Sequence, residues 1–170
     1  MSSHKIDSTQ EFYQKLTIYM GADHRGRFPR DVVANILTDW QIRWKDVTNL
    51  EQDDGDDYPD FAEPVAQSVS YNQDSLGVLI CGSGHGMCIA ANKVKGIRAA
   101  VCHTSREVEL ARSHNHINIL CIAADTIDEP KLVGMMRAFL DTVPSESDRH
   151  IRRLNKVSRI EQDLYKPYHN

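Results

Sequence analysis

Leu76-Gly77-Val78-Leu79-Ile80-Cys81-Gly82-Ser83-Gly84-His85-Gly86-Met87 is the stretch on which the fold of this 170-residue chain turns. Its first half is a short apolar run without polar alternation, which reads as a strand buried on both faces. Its second half breaks at once into a glycine-rich turn. Runs of the same kind recur at Leu16 to Met20, Ile42 to Val47, Ile97 to Cys102 and Ile119 to Ala123. Helical patterns separate them, which is the signature of a parallel sheet covered by helices on both faces. The reading is an α/β fold: a three-layer α/β/α sandwich on a five-stranded parallel sheet of the Rossmann-like or flavodoxin-like kind.

The helices are legible in their apolar stripes. Val32, Val33, Ile36, Leu37 and Trp40 draw one face of a helix starting near Pro29. Phe61, Ala62, Val65, Ala66 and Val69 draw a second, which Asp60-x-x-Glu63 is expected to open as a capping box. Thr104-x-x-Glu107 opens a third with Val108, Leu110 and Ala111, and Pro130 suits the start of a fourth carrying Leu132, Val133, Met136, Phe139 and Leu140. After Pro144, Ile151, Leu154, Val157, Ile160 and Leu164 are spaced by three or four, so this last stripe must pack on something. The five-stranded unit is nearly complete without it, and the helix is expected to reach a neighbouring subunit. The acidic stretch Glu51 to Asp57 has no period and reads as a solvated turn. One domain over residues 15–165 is expected, with residues 1–14 as a loosely held arm.

Composition narrows the partners. Lys plus Arg is 20 against Asp plus Glu 24, a net charge of −4, so there is no broad basic field to hold a nucleic-acid backbone. No apolar run approaches the roughly 18 residues that cross a bilayer, and the polar start Met1-Ser-Ser-His lacks the apolar centre of a secretory signal. A soluble cytoplasmic protein with no nucleic-acid and no membrane partner is expected. The four cysteines include no C-x-x-C pair, which favours free thiols over disulfides or a thiolate zinc site.

In an open parallel sheet the ligand site lies beyond the carboxyl ends of the strands. The polar residues assigned to it are Gly21-Ala22-Asp23-His24-Arg25-Gly26, Cys81 to Met87, His103-Thr104 and His114-Asn115-His116. Three glycines alternating with Ser83 and His85 let successive N–H groups point into one concavity, which suits an anion. The run G-S-G-H-G lacks the G-x-G-x-x-G spacing, and no acidic residue follows at the distance a dinucleotide ribose needs. Cys81 has two readings, a small buried core residue or a thiolate activated at the head of a helix. Its place directly before the glycine nest favours the second, while Cys88, Cys102 and Cys121 read as core. A metal held by His114 and His116 with His24 or His85 is the weaker reading of the histidines. Proton shuttling and hydroxyl binding by Asp23-His24 and His114-Asn115, with no metal, is the simpler one.

Together, Gly21 to Gly26, Asp57-Tyr58-Pro59-Asp60, Ile80 to Met87 with Ile89-Ala90-Ala91-Asn92-Lys93, and His114-Asn115 resemble the type B ribose-5-phosphate isomerases. That family also holds the galactose-6-phosphate isomerase subunits. The likeness runs in unbroken order over roughly residues 16–162. It implies aldose–ketose isomerisation of a small sugar or sugar phosphate through an enediolate, without cofactor, in a homodimer with shared active sites. It further implies Cys81 as the base and the backbone from Gly82 through Gly84 and His85 to Gly86, with Ser83, as the oxyanion support. His114 from the partner chain would assist ring opening with Asn115 beside it. Asp23 would hold a hydroxyl, Tyr58 would line the pocket, and His24, Arg149 and Arg153 would meet the phosphate. Taken alone, Arg149 and Arg153, four apart on one helix, fit either a dianion or a solvated face.

Two departures from the family pattern bear on the substrate. Many relatives carry an arginine after the fifth strand where this chain reads Ala123-Ala124-Asp125, and two glycines where it reads Ser147-Asp148 ahead of Arg149-His150. Carboxylates at those places are expected to repel a phosphate dianion, so that turnover of ribose 5-phosphate is weak or absent and some other sugar or sugar phosphate is preferred. A non-catalytic sugar-binding or anion-binding protein is the alternative from another class.

Overall fold

The structure, a computed structural model, describes residues 13–47 and 55–164. Five strands, β1 (Thr17–Ala22), β2 (Arg43–Asp46), β3 (Ser75–Cys81), β4 (Ala99–Val101) and β5 (Ile119–Ala123), form one sheet in the order β2-β1-β3-β5-β4. Every pairing is parallel, with Leu79 opposite Gly21 on one side and Cys121 on the other. Six helices of the described residues cover it: α1 (Arg27–Asp39), α2 (Tyr58–Tyr71), α3 (His85–Ala91), α4 (Ser105–Asn115), α5 (Glu129–Asp141) and α6 (Asp148–Leu164).

The strand at the centre is the one the sequence marks most strongly. All seven residues of β3 are buried, and their side chains alternate between two cores. Val78 and Ile80 join Ile18, Met20, Leu120 and Ile122 beneath α1, α4 and α5, through Val33, Leu37, Val108, Leu132, Met136 and Phe139. Leu79 and Cys81 join Ile119 and Cys121 beneath α2 and α3, through Phe61, Val65, Met87 and Ala91. The result is the three-layer sandwich, and it hands Cys81 to the α2–α3 side. Each fully buried Leu, Ile or Phe contributes about 1.5–3 kcal/mol of transfer free energy, so the layers hold the strand ends in place.

At the elements' edges the structure departs from the sequence reading. α2 starts at Tyr58, so Asp60 already lies in its first turn and no Asp60–Glu63 capping box forms. Pro59 sets that start, since a proline in the first turn forfeits no intrahelical bond. Thr104 does cap α4, its Oγ1 accepting from Glu107 N at 3.2 Å, while Glu107 Oε2 accepts from His103 N at 2.7 Å. β2 is an exposed edge strand, with only Ile42 just before it in the core. The expected arm, residues 1–14, falls almost wholly outside the described residues; Tyr13 is described, and its hydroxyl donates to Asp141 Oδ1 at 2.6 Å.

α6 touches its own chain at both ends. The rings of His114 and His150 stack at 4.2 Å and 11°, and Glu161 Oε1 accepts from Gly96 N at 2.7 Å. Its apolar stripe is left open, with Ile151, Val157 and Ile160 exposed. Leu154, Val157 and Ile160 face Ile97, Ala99 and Ala100 across a groove of about 540 Å³ along the β4 edge. Among the described residues no helix is long and apolar enough to cross a membrane.

Candidate active site

β1, β3 and β5 lie side by side, so the loops that follow them converge at one end of the sheet. Asp23 opens the first loop, and its N–H donates to Ile80 O at 3.2 Å, tying that loop to the end of β3. Asp23 is 7% exposed, and its carboxylate accepts from Arg25 N at 3.0 Å and Gly26 N at 3.2 Å, which caps the short turn His24–Gly26. Burial pushes the Asp23 carboxyl above its ordinary pKa, against the opposing pull of the Gly26 and Arg25 N–H groups and the His24 charge.

Cys81 is 5% exposed, and its Sγ accepts a hydrogen bond from Gly84 N at 3.2 Å. The three glycines of the loop each have a physical reason. Gly84 holds φ at +75°, which side chains rarely adopt, and it is this turn that brings its N–H back onto Cys81. A Cβ on Gly82 would lie 2.6 Å from the Arg25 guanidinium carbon, and one on Gly86 would lie 2.9 Å from Cζ of Tyr58. Arg25 and Tyr58 therefore lie directly against the loop, Tyr58 from the first residue of α2 with its ring half exposed. Ser83 and His85 stand exposed on the outer side, with Ser83 Oγ 3.4 Å from His85 N.

Asp56 was missed by the sequence reading. It belongs to the acidic stretch expected to be a solvated turn, yet its side chain is only 7% exposed. It grips His24 twice, Oδ2 accepting from the backbone N–H at 2.9 Å and Oδ1 lying 2.6 Å from ring Nδ1. This fixes the ring's orientation, and Asp23, His24 and Asp56 bring their polar atoms within 4.8 Å of one another. Asp125 is likewise not a lone charge: its Oδ2 meets Arg25 Nη2 at 2.5 Å. Neither pairing has a local sequence signal, since each joins two different loops.

His114 and Asn115 are not at this end. α4 runs back from the end of β4 to the start of β5, so its last residues lie at the amino ends of the strands. Arg98 Nε, just ahead of β4, donates to Asn115 O at 3.1 Å there. A parallel strand of five to seven residues puts roughly 15–20 Å between these residues and Cys81. The assignment of His114-Asn115-His116 to the carboxyl ends thus fails within one chain, for reasons of topology. Nor do the histidines gather as a metal site: His114 stacks on His150, whereas His116 Nε2 lies 2.9 Å from Ser145 O.

Arg149 and Arg153 belong to this second group. Arg149 Nε donates to His150 Nε2 at 3.1 Å. Desolvation holds His150 below its ordinary pKa, and the positive charges of His114, Arg149, Arg153 and His116 act in the same direction. The arrangement is a cationic cluster around a buried imidazole that the sequence reading passed over. Of the remaining cysteines, Cys102 and Cys121 are buried as expected, while Cys88 is half-buried and its thiol is lowered to about 7, chiefly by the Cys121 side chain.

The sequence as a whole matches known proteins. Residues 18–157 fit the Ribose/Galactose Isomerase family. A probable ribose-5-phosphate isomerase B of Mycoplasma genitalium is 37% identical over 147 residues, 86% of this chain and 96% of that one. Ribose-5-phosphate isomerase B of Mycobacterium tuberculosis is 32% identical over 147 residues, 86% of this chain and 91% of that one. Among solved structures, the Mycoplasma genitalium enzyme with bound ribulose-5-phosphate superposes with a TM-score of 0.81 at 37% identity, over 87% of this chain and 97% of that one. The type B enzyme of Trypanosoma brucei gives 0.78 at 37% identity, over 85% and 98%. The chain therefore belongs to the ribose/galactose isomerase family of aldose–ketose isomerases.

Proposed function

We propose that this protein interconverts an aldose and its ketose, ribose 5-phosphate and ribulose 5-phosphate or a related sugar pair, with Cys81 as the proton carrier. The observation that carries the reading is the hydrogen bond from Gly84 N to a buried Cys81 Sγ at the end of the central strand. The thiolate takes the proton from C2 of the open-chain aldose, the C2–H electron pair moves into the C1–C2 bond, and the C1 carbonyl oxygen becomes the enediolate oxygen. The C2 hydroxyl proton then passes to O1, so that C2 becomes the new carbonyl carbon as C1 is protonated. The same sulfur delivers the proton taken from C2 to C1. Backbone N–H groups between Gly82 and Gly86, with the Ser83 hydroxyl, hold the developing charge. Asp23, pushed toward its protonated form by burial, binds a substrate hydroxyl, and Tyr58 and His85 flank the entry.

The working unit is a homodimer. Cys81 and the cluster of His114, Asn115, Arg149 and Arg153 lie at opposite ends of one sheet, so a complete site requires two copies, each supplying one half. The open stripe of α6 and the 540 Å³ groove beside it offer the apolar surface such a pairing needs. In that dimer His114 of the partner subunit assists ring opening, and the arginines of its α6 meet the phosphate with His24.

The test is a panel of aldoses and their phosphates incubated with the enzyme in deuterated water. Deuterium at C1 or C2 of any of them supports proton transfer. No label in ribose 5-phosphate or in any panel member contradicts it.

A further inference from the structure

We propose that Arg25 is a specificity-determining residue of this site and that Asp125 restrains it, so that the rim above Cys81 discriminates against doubly charged substrate groups. This rests on the reading that substrate meets Cys81 at that rim. β1 and β5 flank β3, and the two loops that follow them are anchored beside its end: Arg25 N donates to Asp23 Oδ1 at 3.0 Å, and Asp125 N donates to Gly82 O at 3.0 Å. From these anchors the side chains meet over the strand between them, Nη2 to Oδ2 at 2.5 Å. The guanidinium lies flat against Gly82, where a Cβ would fall 2.6 Å from both Cζ and Nη1. The pair is a charged strap across the residue that follows Cys81.

The strap is accessible, with side chains 54% and 43% exposed. Exposed ion pairs of this kind are weak and exchange readily with other partners. A guanidinium so placed is a natural ligand for a substrate's oxygen-rich end, because its fork offers several donors in one plane. A second negative charge arriving there must both displace the carboxylate and lie near it, whereas a neutral or singly charged group pays less of that repulsion. Beside the strap the His24 ring is already engaged by Asp56, so the Arg25 guanidinium is the basic group that lies directly against the residue after Cys81.

Titration of inorganic phosphate by calorimetry at neutral pH and low salt tests this on the full-length protein. Removing the neighbouring carboxylate charge in Asp125→Asn should tighten phosphate binding about tenfold, an effect that shrinks as salt rises. Arg25→Gln should bind more weakly than wild type, and in the Arg25→Gln background Asp125→Asn should gain clearly less than it does in wild type. Thermal melts should stay close to wild type, as expected for an exposed pair. No gain in Asp125→Asn, or a gain that is undiminished in the double variant, overturns the proposal. Because binding is read without turnover, a protein that moves no deuterium would still answer this question, and the two readings fail separately.

Discussion

The N–H of Gly84 reaches back three residues to donate to Cys81 Sγ at 3.2 Å, and the contact depends on a φ of +75° at Gly84. An alanine there would place its Cβ 3.1 Å from Val101 Cγ1 and 3.3 Å from the Ile122 backbone. Left-handed conformation alone costs a non-glycine residue about 1–2 kcal/mol. Gly84→Ala should therefore lower the melting temperature by several degrees and reduce kcat/KM at least about tenfold, through loss of the donor at sulfur. Full activity in a folded Gly84→Ala protein would show that this hydrogen bond is not used.

Asp56 holds His24 by its backbone N–H and by its ring. Charge-assisted hydrogen bonds are worth about 1.5–3 kcal/mol, so Asp56→Ala should release the ring and lower kcat/KM by about tenfold or more, mainly through KM. Steady-state kinetics on the best substrate of the panel decides it, and an unchanged KM would make Asp56 a bystander.

Asp23 links the site to stability. Burial raises its carboxyl pKa in the fold above the ordinary value of 3.8, so the native state holds this proton more tightly than the unfolded chain does. Its contribution favours folding below the unfolded pKa and is lost as pH rises through the raised folded value. At neutral pH the ionised carboxylate is a net cost. Asn at this position keeps the acceptor for Arg25 N and Gly26 N without the charge. Asp23→Asn should melt higher than wild type at pH 7, with the difference closing in acid, while losing activity. Chemical denaturation from acid to neutral pH measures it, and a variant less stable than wild type at neutral pH would contradict it.

What could be read from sequence follows the range of the interaction concerned. β5 was delimited at Ile119–Ala123, and β3 with its glycine loop was found, because burial on both faces and a sharp turn leave marks within a dozen neighbouring residues. The Asp56–His24 and Arg25–Asp125 pairs join residues 32 and 100 apart. Charged residues in loops carry no period, so Asp56 read as solvated and Asp125 as an unopposed negative charge. The stack of His114 on His150 was missed for the same reason. The placement of His114 was decided instead by a rule of topology: residues that precede a parallel strand lie at its amino end, away from those that follow it.

Cys81 and His114 acting on one substrate from two subunits is the claim on which the rest depends. Co-expression of differently tagged Cys81→Ala and His114→Ala chains, with purification of the mixed dimer through both tags, tests it directly. In the mixed dimer one site carries both substitutions and the other carries neither, so each parent homodimer should be nearly inactive and the mixed dimer should recover about half the wild-type activity. A mixed dimer no more active than its parents would contradict the shared site.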